Sequence, residues 1–233
     1  MNRDVGVTEL IRTVLPEWAG PIFEITALLG DELVVVGVLG ILVVVDVYRS
    51  ADSGSDHLLS RETATLVAIV LGGLALTLVL KTTIDSPRPP ASLQAVPREG
   101  TGFPSGHTMA ATVLWVSLAY WSDRFSARGR LLIASIVIAV VGFSRLALGV
   151  HYLVDVVASV GFGVGYLLLA AKATGLEPMR AFATAGVLGV MALLVTAGSA
   201  DGWLAFVGCI GGAGGWWLVN RPAVQRMWIA TTR

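Results

Sequence analysis

The sequence predicts an all-α polytopic membrane helix bundle of six or seven transmembrane helices with an N-terminal interfacial helix. Three observations predict it. Of 233 residues, 55% are hydrophobic and 14% charged, whereas a soluble domain carries about 25% charged residues. Mean hydropathy is +0.77. The apolar residues gather into seven runs close to the length that a bilayer core of roughly 30 Å requires, about 17 to 25 residues.

In chain order, residues 7–29 are apolar at intervals but interrupted by Arg12, Pro16, Glu17, Pro21 and Glu24. They lack the basic n-region and unbroken apolar core of a secretory signal, and are read as an amphipathic helix lying in the interface within a segment covering 1–30. Spans follow at about 32–48, 63–80, 106–121, 131–149, 153–171, 181–198 and 203–219. Most connectors are short and carry turn or charge signals, as antiparallel neighbours require: Asp52-Ser53-Gly54-Ser55-Asp56, Ser122-Asp123-Arg124, and the stretches 175–178 and 199–202. The exception is 81–105, a long polar loop with five prolines. The whole chain, 1–233, reads as one integral membrane domain with its chemistry in 81–155 and two further spans in 181–219. The run Gly208-Cys209-Ile210-Gly211-Gly212-Ala213-Gly214-Gly215 lacks the preceding strand and following Lys-Ser/Thr of a phosphate loop, so its small residues are assigned to close helix approach.

Charge sets the orientation. With seven spans, one face receives ten cations, Arg49, Arg61, Arg124, Arg128, Arg130, Lys172, Arg180, Arg221, Arg226 and Arg233, and the other receives six, Arg3, Arg12, Lys81, Arg88, Arg98 and Arg145. The richer face is expected to be cytoplasmic, which puts the long loop outside. Sixteen basic against 16 acidic residues leave no basic footprint for nucleic acid. The single cysteine, Cys209, excludes an internal disulfide and a cysteine-built metal site.

Three of the six outer cations, Lys81, Arg88 and Arg145, sit at or beside helix ends, against the positive-inside bias. Pro87 and Pro89 restrict the backbone on both sides of Arg88, whose guanidinium suits bidentate contact with phosphate. At the far end of the loop, Pro104-Ser105-Gly106-His107 precedes an apolar run. Ser105 is a good N-cap, Gly106 lets a ligand approach the backbone, and a helix N-terminus favours an anion, with His107 in the first turn beside it. In the third stretch, Ser144-Arg145 is followed by His151 and Asp155, four apart, which on a helix share a face. A carboxylate on one ring nitrogen leaves the other free as nucleophile or base, and an ionisable residue in an apolar segment is costly unless functional.

Alternation of the spans places all three stretches on the outer face. Two histidines, a carboxylate and three cations make a phosphate site: one histidine attacks phosphorus, the other protonates the leaving oxygen, and the cations neutralise the equatorial oxygens. Three cations oppose a bound divalent ion, and only Asp155 and the two histidines are suited to ligate one, so no metal or cofactor is expected.

In this order the stretches resemble the signature of the type 2 phosphatidic acid phosphatase (lipid phosphate phosphatase) superfamily, K-x6-R-P, P-S-G-H and S-R-x5-H-x3-D. Lys81, Arg88 and Pro89; Pro104, Ser105, Gly106 and His107; and Ser144, Arg145, His151 and Asp155 fill every position, with 14 and 36 residues between the parts. The resemblance implies His151 as the nucleophile that becomes phosphohistidine, Asp155 as its orienting carboxylate, and His107 as the acid for the leaving group that later assists water. It implies Lys81, Arg88 and Arg145, with Ser105 and the Gly106 N–H, as the phosphate cradle, and no metal. The implied partners are membrane lipids and a lipid phosphate or polyprenyl diphosphate substrate.

Other polar residues take ordinary roles. His57 is read as solvated on the opposite face, and Asp46 with Arg49 as an interfacial end to the first span. Trp18, Trp121, Trp203, Trp216, Trp217 and Trp228 suit interfacial belts and packing, and Asp85 and Arg98 lie near the site. The same pocket passing phosphoryl to an alcohol would make a lipid phosphotransferase. Vanadium haloperoxidases share the signature but not the membrane-embedded chain. A non-enzymatic transporter would call for inverted repeats and broken helices at the midplane, and the sequence has neither.

Overall fold

The computed structural model describes residues 6–121 and 125–232. Arg3, Arg233 and the connector Ser122-Asp123-Arg124, named above, lie outside the described residues. The described chain forms ten α-helices: α1 (Gly6–Val14), α2 (Gly20–Ala27), α3 (Glu32–Asp52), α4 (Arg61–Ile84), α5 (Gly106–Trp121), α6 (Ala127–Ala147), α7 (Leu153–Thr174), α8 (Pro178–Val195), α9 (Ala200–Val219) and α10 (Pro222–Thr232). Six of them, α3, α4, α6, α7, α8 and α9, are long and apolar enough to cross a membrane. The expected 106–121 span is α5, a shorter helix of 16 residues. The chain is an all-α integral membrane protein.

Local chemistry accounts for the departures from expectation. The N-terminal segment is two short helices rather than one. Pro16 cannot continue α1, because it lacks an N–H and restricts the residue before it, and Pro21 sits in the first turn of α2, where its fixed φ is tolerated. Helix α3 runs to Asp52, so Asp46 lies inside it and accepts hydrogen bonds from the Ser60 backbone (2.7 Å) and hydroxyl (3.1 Å). Helix α4 carries Lys81 in its last turn. The proline-rich loop contains two short strands, β1 (Ser86–Pro87) and β2 (Thr101–Phe103), paired antiparallel.

The described residues group into two compact units. The first takes residues 6–35, 77–121 and 125–167. Its interior is α5, in which Met109, Ala110, Ala111, Val113 and Leu114 are buried. Gly142 on α6 and Gly163 on α7 admit neighbours: a Cβ on the first would lie 2.7 Å from Val156 Cγ1, and on the second 2.8 Å from Thr112 Cγ2. Helix α2 lies on α6, where Phe23 and Phe143 meet edge to face at 5.7 Å. Between α1 and α3, Trp18, Ile22 and Ile25 stay exposed.

The second unit takes residues 36–76 and 168–232. It is dominated by the antiparallel pair α8 and α9, joined by a turn with Ala197 and Gly198 at positive φ. Ser199 caps α9 by accepting the Gly202 N–H at 3.2 Å. Arg61 and Glu177 pair at 2.8 Å, and Trp228 Nε1 donates to the Ser55 carbonyl at 2.9 Å. His57 is exposed. The glycine-rich run of α9 divides by face. Gly208 and Gly212 face α4, where Leu71 lies within 3.7 Å and 3.2 Å of an added Cβ, and Gly212 also faces Phe182 Cε1 at 2.9 Å. Gly211, Gly214 and Gly215 look into open space.

That division makes a prediction about two residues of one run. Gly212→Leu should overpack and lose about 1–3 kcal/mol, while Gly214→Leu should stay within about 0.5 kcal/mol of the parent. Thermal unfolding in detergent measures both, and equal losses would contradict the assigned faces.

Candidate active site

All eight residues singled out from the sequence as site residues fall in the first unit, delivered by four helix ends and two connecting segments. Ser105, Gly106 and His107 start α5, Lys81 ends α4, Arg145 ends α6, and Asp155 lies in the first turn of α7. Arg88 follows β1, and His151 lies in the turn between α6 and α7.

His151 is therefore not on a helix with Asp155, as the four-residue spacing suggested; the pair forms across a helix start. Asp155 Oδ2 accepts the Tyr152 N–H at 2.9 Å, the reaching-back half of a capping box, and lies 3.4 Å from His151 Nδ1. The other face of the ring meets Arg88, whose Nη1 is 3.2 Å from His151 Nε2 and donates to the Val150 carbonyl at 3.1 Å. A guanidinium only donates, so Nε2 presents its lone pair to Arg88 and the ring proton sits on Nδ1, facing Asp155. Burial pushes the His151 imidazole down to about 4, against the opposing pull of Asp155. The ring is neutral near pH 7, with its lone pair aimed at the cations.

Those cations are closely gathered. Burial first, then the charge of Arg98, holds Arg88 below the usual guanidinium range. Arg145 is 3% exposed, and its Nε is buried without a hydrogen-bond partner. A Cβ on Gly106 would lie 3.8 Å from Lys81 Nζ, so the ammonium stands beside the backbone at the start of α5. Ser105 is fully buried, with its hydroxyl 3.0 Å from Thr108 Oγ1. Buried donors converging on a helix N-terminus suit a tetrahedral oxyanion. Among the described residues, no group of three or more His, Cys, Asp or Glu is placed to hold a metal ion.

Several supporting residues escaped the sequence reading. Thr8 on α1 is buried and donates to the His151 carbonyl at 3.1 Å. Arg12 donates to the carbonyls of Leu93 (3.1 Å) and Ala147 (3.3 Å). Arg12, which interrupts the apolar pattern of the N-terminal segment, therefore braces the end of α6 and the loop packed against it. Gly149 has φ +71°, and an added Cβ would fall 2.0 Å from the Leu93 carbonyl oxygen, so glycine is demanded twice over. Asp31, just before α3, lies 3.7 Å from His107 Nε2 through its Oδ2. Of these, only Gly149 carried a signal a sequence can show, a glycine between two helical runs.

The family model of the PAP2 superfamily matches residues 62–177, about half of the chain. Phosphatidylglycerophosphatase B of Bacillus subtilis (strain 168) is 35% identical over 96 residues, 39% of this chain and 46% of the relative. The chain thus spans about half the length of that curated relative. A crystal structure described as the first transmembrane PAP2 type phosphatidylglycerolphosphate phosphatase from Bacillus subtilis superposes with a TM-score of 0.62 at 21% identity, covering 71% of this chain and 81% of that one. This second likeness is one of fold.

Titration of the nucleophile candidate is directly measurable. Histidine-labelled protein followed by ¹⁵N NMR should show one imidazole with a protonated Nδ1 at neutral pH and an inflection near pH 4, missing in His151→Gln. An inflection near the ordinary 6.5 would mean that the ring is solvated. Gly149→Ala should cost more than about 2 kcal/mol in thermal unfolding, through strain and a clash together.

Proposed function

From the premise that the chain belongs to the PAP2 superfamily, we propose that it is a metal-independent membrane lipid phosphatase. It removes phosphate from a lipid phosphomonoester, with phosphatidylglycerophosphate the first choice because the relative at 35% identity carries that activity in its name. The observation that carries the reading is His151 itself: a buried, neutral imidazole with Nε2 3.2 Å from Arg88 Nη1 and Nδ1 3.4 Å from a carboxylate. That lone pair points to where cation-bound phosphorus would sit.

In the proposed mechanism Lys81, Arg88 and Arg145, with the Gly106 N–H, hold the phosphoryl oxygens and stabilise the charge that spreads over them. His151 Nε2 attacks phosphorus in line, forming a P–N bond as the P–O bond to the lipid breaks. His107 gives its proton to the departing oxygen. Asp155 takes up the positive charge that develops on the ring through the Nδ1 proton. Water then attacks the phosphohistidine, His107 takes the water's proton, the P–N bond breaks, and phosphate leaves with the site restored. Metal independence is supported by chemistry, because three cations supply what a divalent ion would supply and repel one. The charge asymmetry of the connectors supports an active site on the extracytoplasmic face of the cell membrane.

The test is phosphate release by purified protein in detergent with EDTA, across phosphatidylglycerophosphate, phosphatidate and a polyprenyl diphosphate. Release should survive chelation, be fastest with phosphatidylglycerophosphate, and fall by about 10³-fold or more in His151→Ala. Folded protein that releases nothing in water but labels an added alcohol would overturn hydrolysis in favour of phosphoryl transfer.

A further inference from the structure

The phosphatase reading leaves His107 with a difficulty. Before it can act as an acid it must hold a proton in a site that gathers positive charge. Burial of the ring opposes that charge first, followed by Arg145 from the end of α6, His151 from the catalytic turn, Lys81 from the end of α4 and Arg98 from the proline-rich loop. Each disfavours the positive charge of a protonated ring. The carboxylate within ion-pair distance of that ring is Asp31, with Oδ2 3.7 Å from Nε2.

Asp31 is held in that position from three directions. Its Oδ1 accepts the N–H groups of Leu33 (2.9 Å) and Val34 (3.4 Å), capping α3 and fixing the carboxylate rotamer. Gly30 lies against the His107 backbone so closely that an added Cβ would be 2.2 Å from the His107 carbonyl oxygen. Trp115 Nε1, two turns along α5, donates to the Leu29 carbonyl at 3.1 Å. The segment carrying Asp31 is thus fastened to the helix that carries His107, at both backbone and side chain.

We infer that Asp31 is a positioning residue for His107, a fixed negative charge that keeps the general acid protonated and its ring oriented until the leaving oxygen takes the proton. The inference rests on the phosphatase reading above. At 3.7 Å the separation exceeds a hydrogen bond, so Asp31 supplies charge without committing the Nε2 proton, which stays available to the leaving oxygen. The proton goes from His107 to the lipid oxygen as the P–O bond breaks, and returns from water in the second step. Asp31 binds neither proton.

The test uses full-length protein in detergent and compares kcat/KM for the preferred lipid phosphate and for 4-nitrophenyl phosphate, whose leaving group departs without an acid. Because kcat/KM runs only through departure of the leaving group, phosphoenzyme hydrolysis does not enter it. Asp31→Asn keeps an N-cap side chain and removes the charge. Its kcat/KM should fall about tenfold or more with the lipid and distinctly less with the aryl ester. The alkaline limb of the lipid profile should move to lower pH, since His107 gives up its proton earlier, and Asp31→Glu should recover part of both changes. An unaltered rate and limb in Asp31→Asn, or equal losses on both substrates with an unmoved limb, would overturn the inference. Wild-type protein inactive on every substrate would overturn the hydrolase reading and this inference with it.

Discussion

Arg145 stands almost fully buried at the end of an apolar helix, in electrostatic reach of Lys81 and Arg88, and much of the first unit is what that concentration of charge requires. Like charges that act on one another in a poorly solvated site repel strongly, and a buried guanidinium without partners is expensive. The surroundings answer with oxygen. Arg88 donates to the carbonyls of Glu99 and Val150. Glu24 and Asp31 act electrostatically on Arg145, and Glu32 and Asp155 on Lys81. Arg145 Nε is left as a buried donor without a partner, and a phosphate oxygen is the acceptor such a donor suits.

Holding cations together also demands a scaffold that does not relax away from them. The turn 148–151 meets that demand through its backbone. Gly149 abuts the Leu93 carbonyl, Ala95 N–H donates to the Leu148 carbonyl, and Thr8 donates to the His151 carbonyl. Arg12 ties the Leu93 and Ala147 carbonyls to α1. Carbonyls that would otherwise be left unsatisfied become the fixing points of the turn that carries His151, the proposed nucleophile. The proline-rich loop and the N-terminal helices are the material of this brace, which is why a loop of that length earns its place in an otherwise short-looped bundle.

How much of this was legible depended on range. The spans were legible because apolar runs of bilayer length are a local property, and their starts and ends came within a few residues at 32, 106 and 153. The residues from Lys81 to Asp155 were legible as one constellation because successive antiparallel spans put alternate connectors on opposite faces. The strands β1 and β2 were not, since elements of two and three residues carry no period. The splitting of residues 7–29 turned on Pro16, visible but not weighed as a stop. Arg12 and Thr8 were opaque for a different reason: their partners lie 81 and 143 residues away, and a basic residue on an amphipathic helix ordinarily faces water or lipid head groups.

Asp155 was legible from its four-residue spacing to His151, whereas Asp31 was opaque, because an acidic residue just before an apolar run reads as an ordinary helix cap. Asp31 caps α3 with one oxygen and turns the other toward His107. Asp155 returns a capping bond to Tyr152 and turns the same oxygen toward His151. A capped carboxylate has already lost its rotamer freedom to the helix, so pairing it with a histidine costs little further entropy. It also places the charge relative to a rigid element rather than a loop. Both histidines of the site thus face carboxylates anchored at helix starts, and the difference between them follows from distance and burial. His151 is 1% exposed with its carboxylate at 3.4 Å, whereas His107 is 29% exposed with its carboxylate at 3.7 Å. The enclosed pair suits a ring held in one orientation with its lone pair free, as the proposed nucleophile requires, and the looser, wetter pair suits a ring that exchanges protons, as the proposed acid requires.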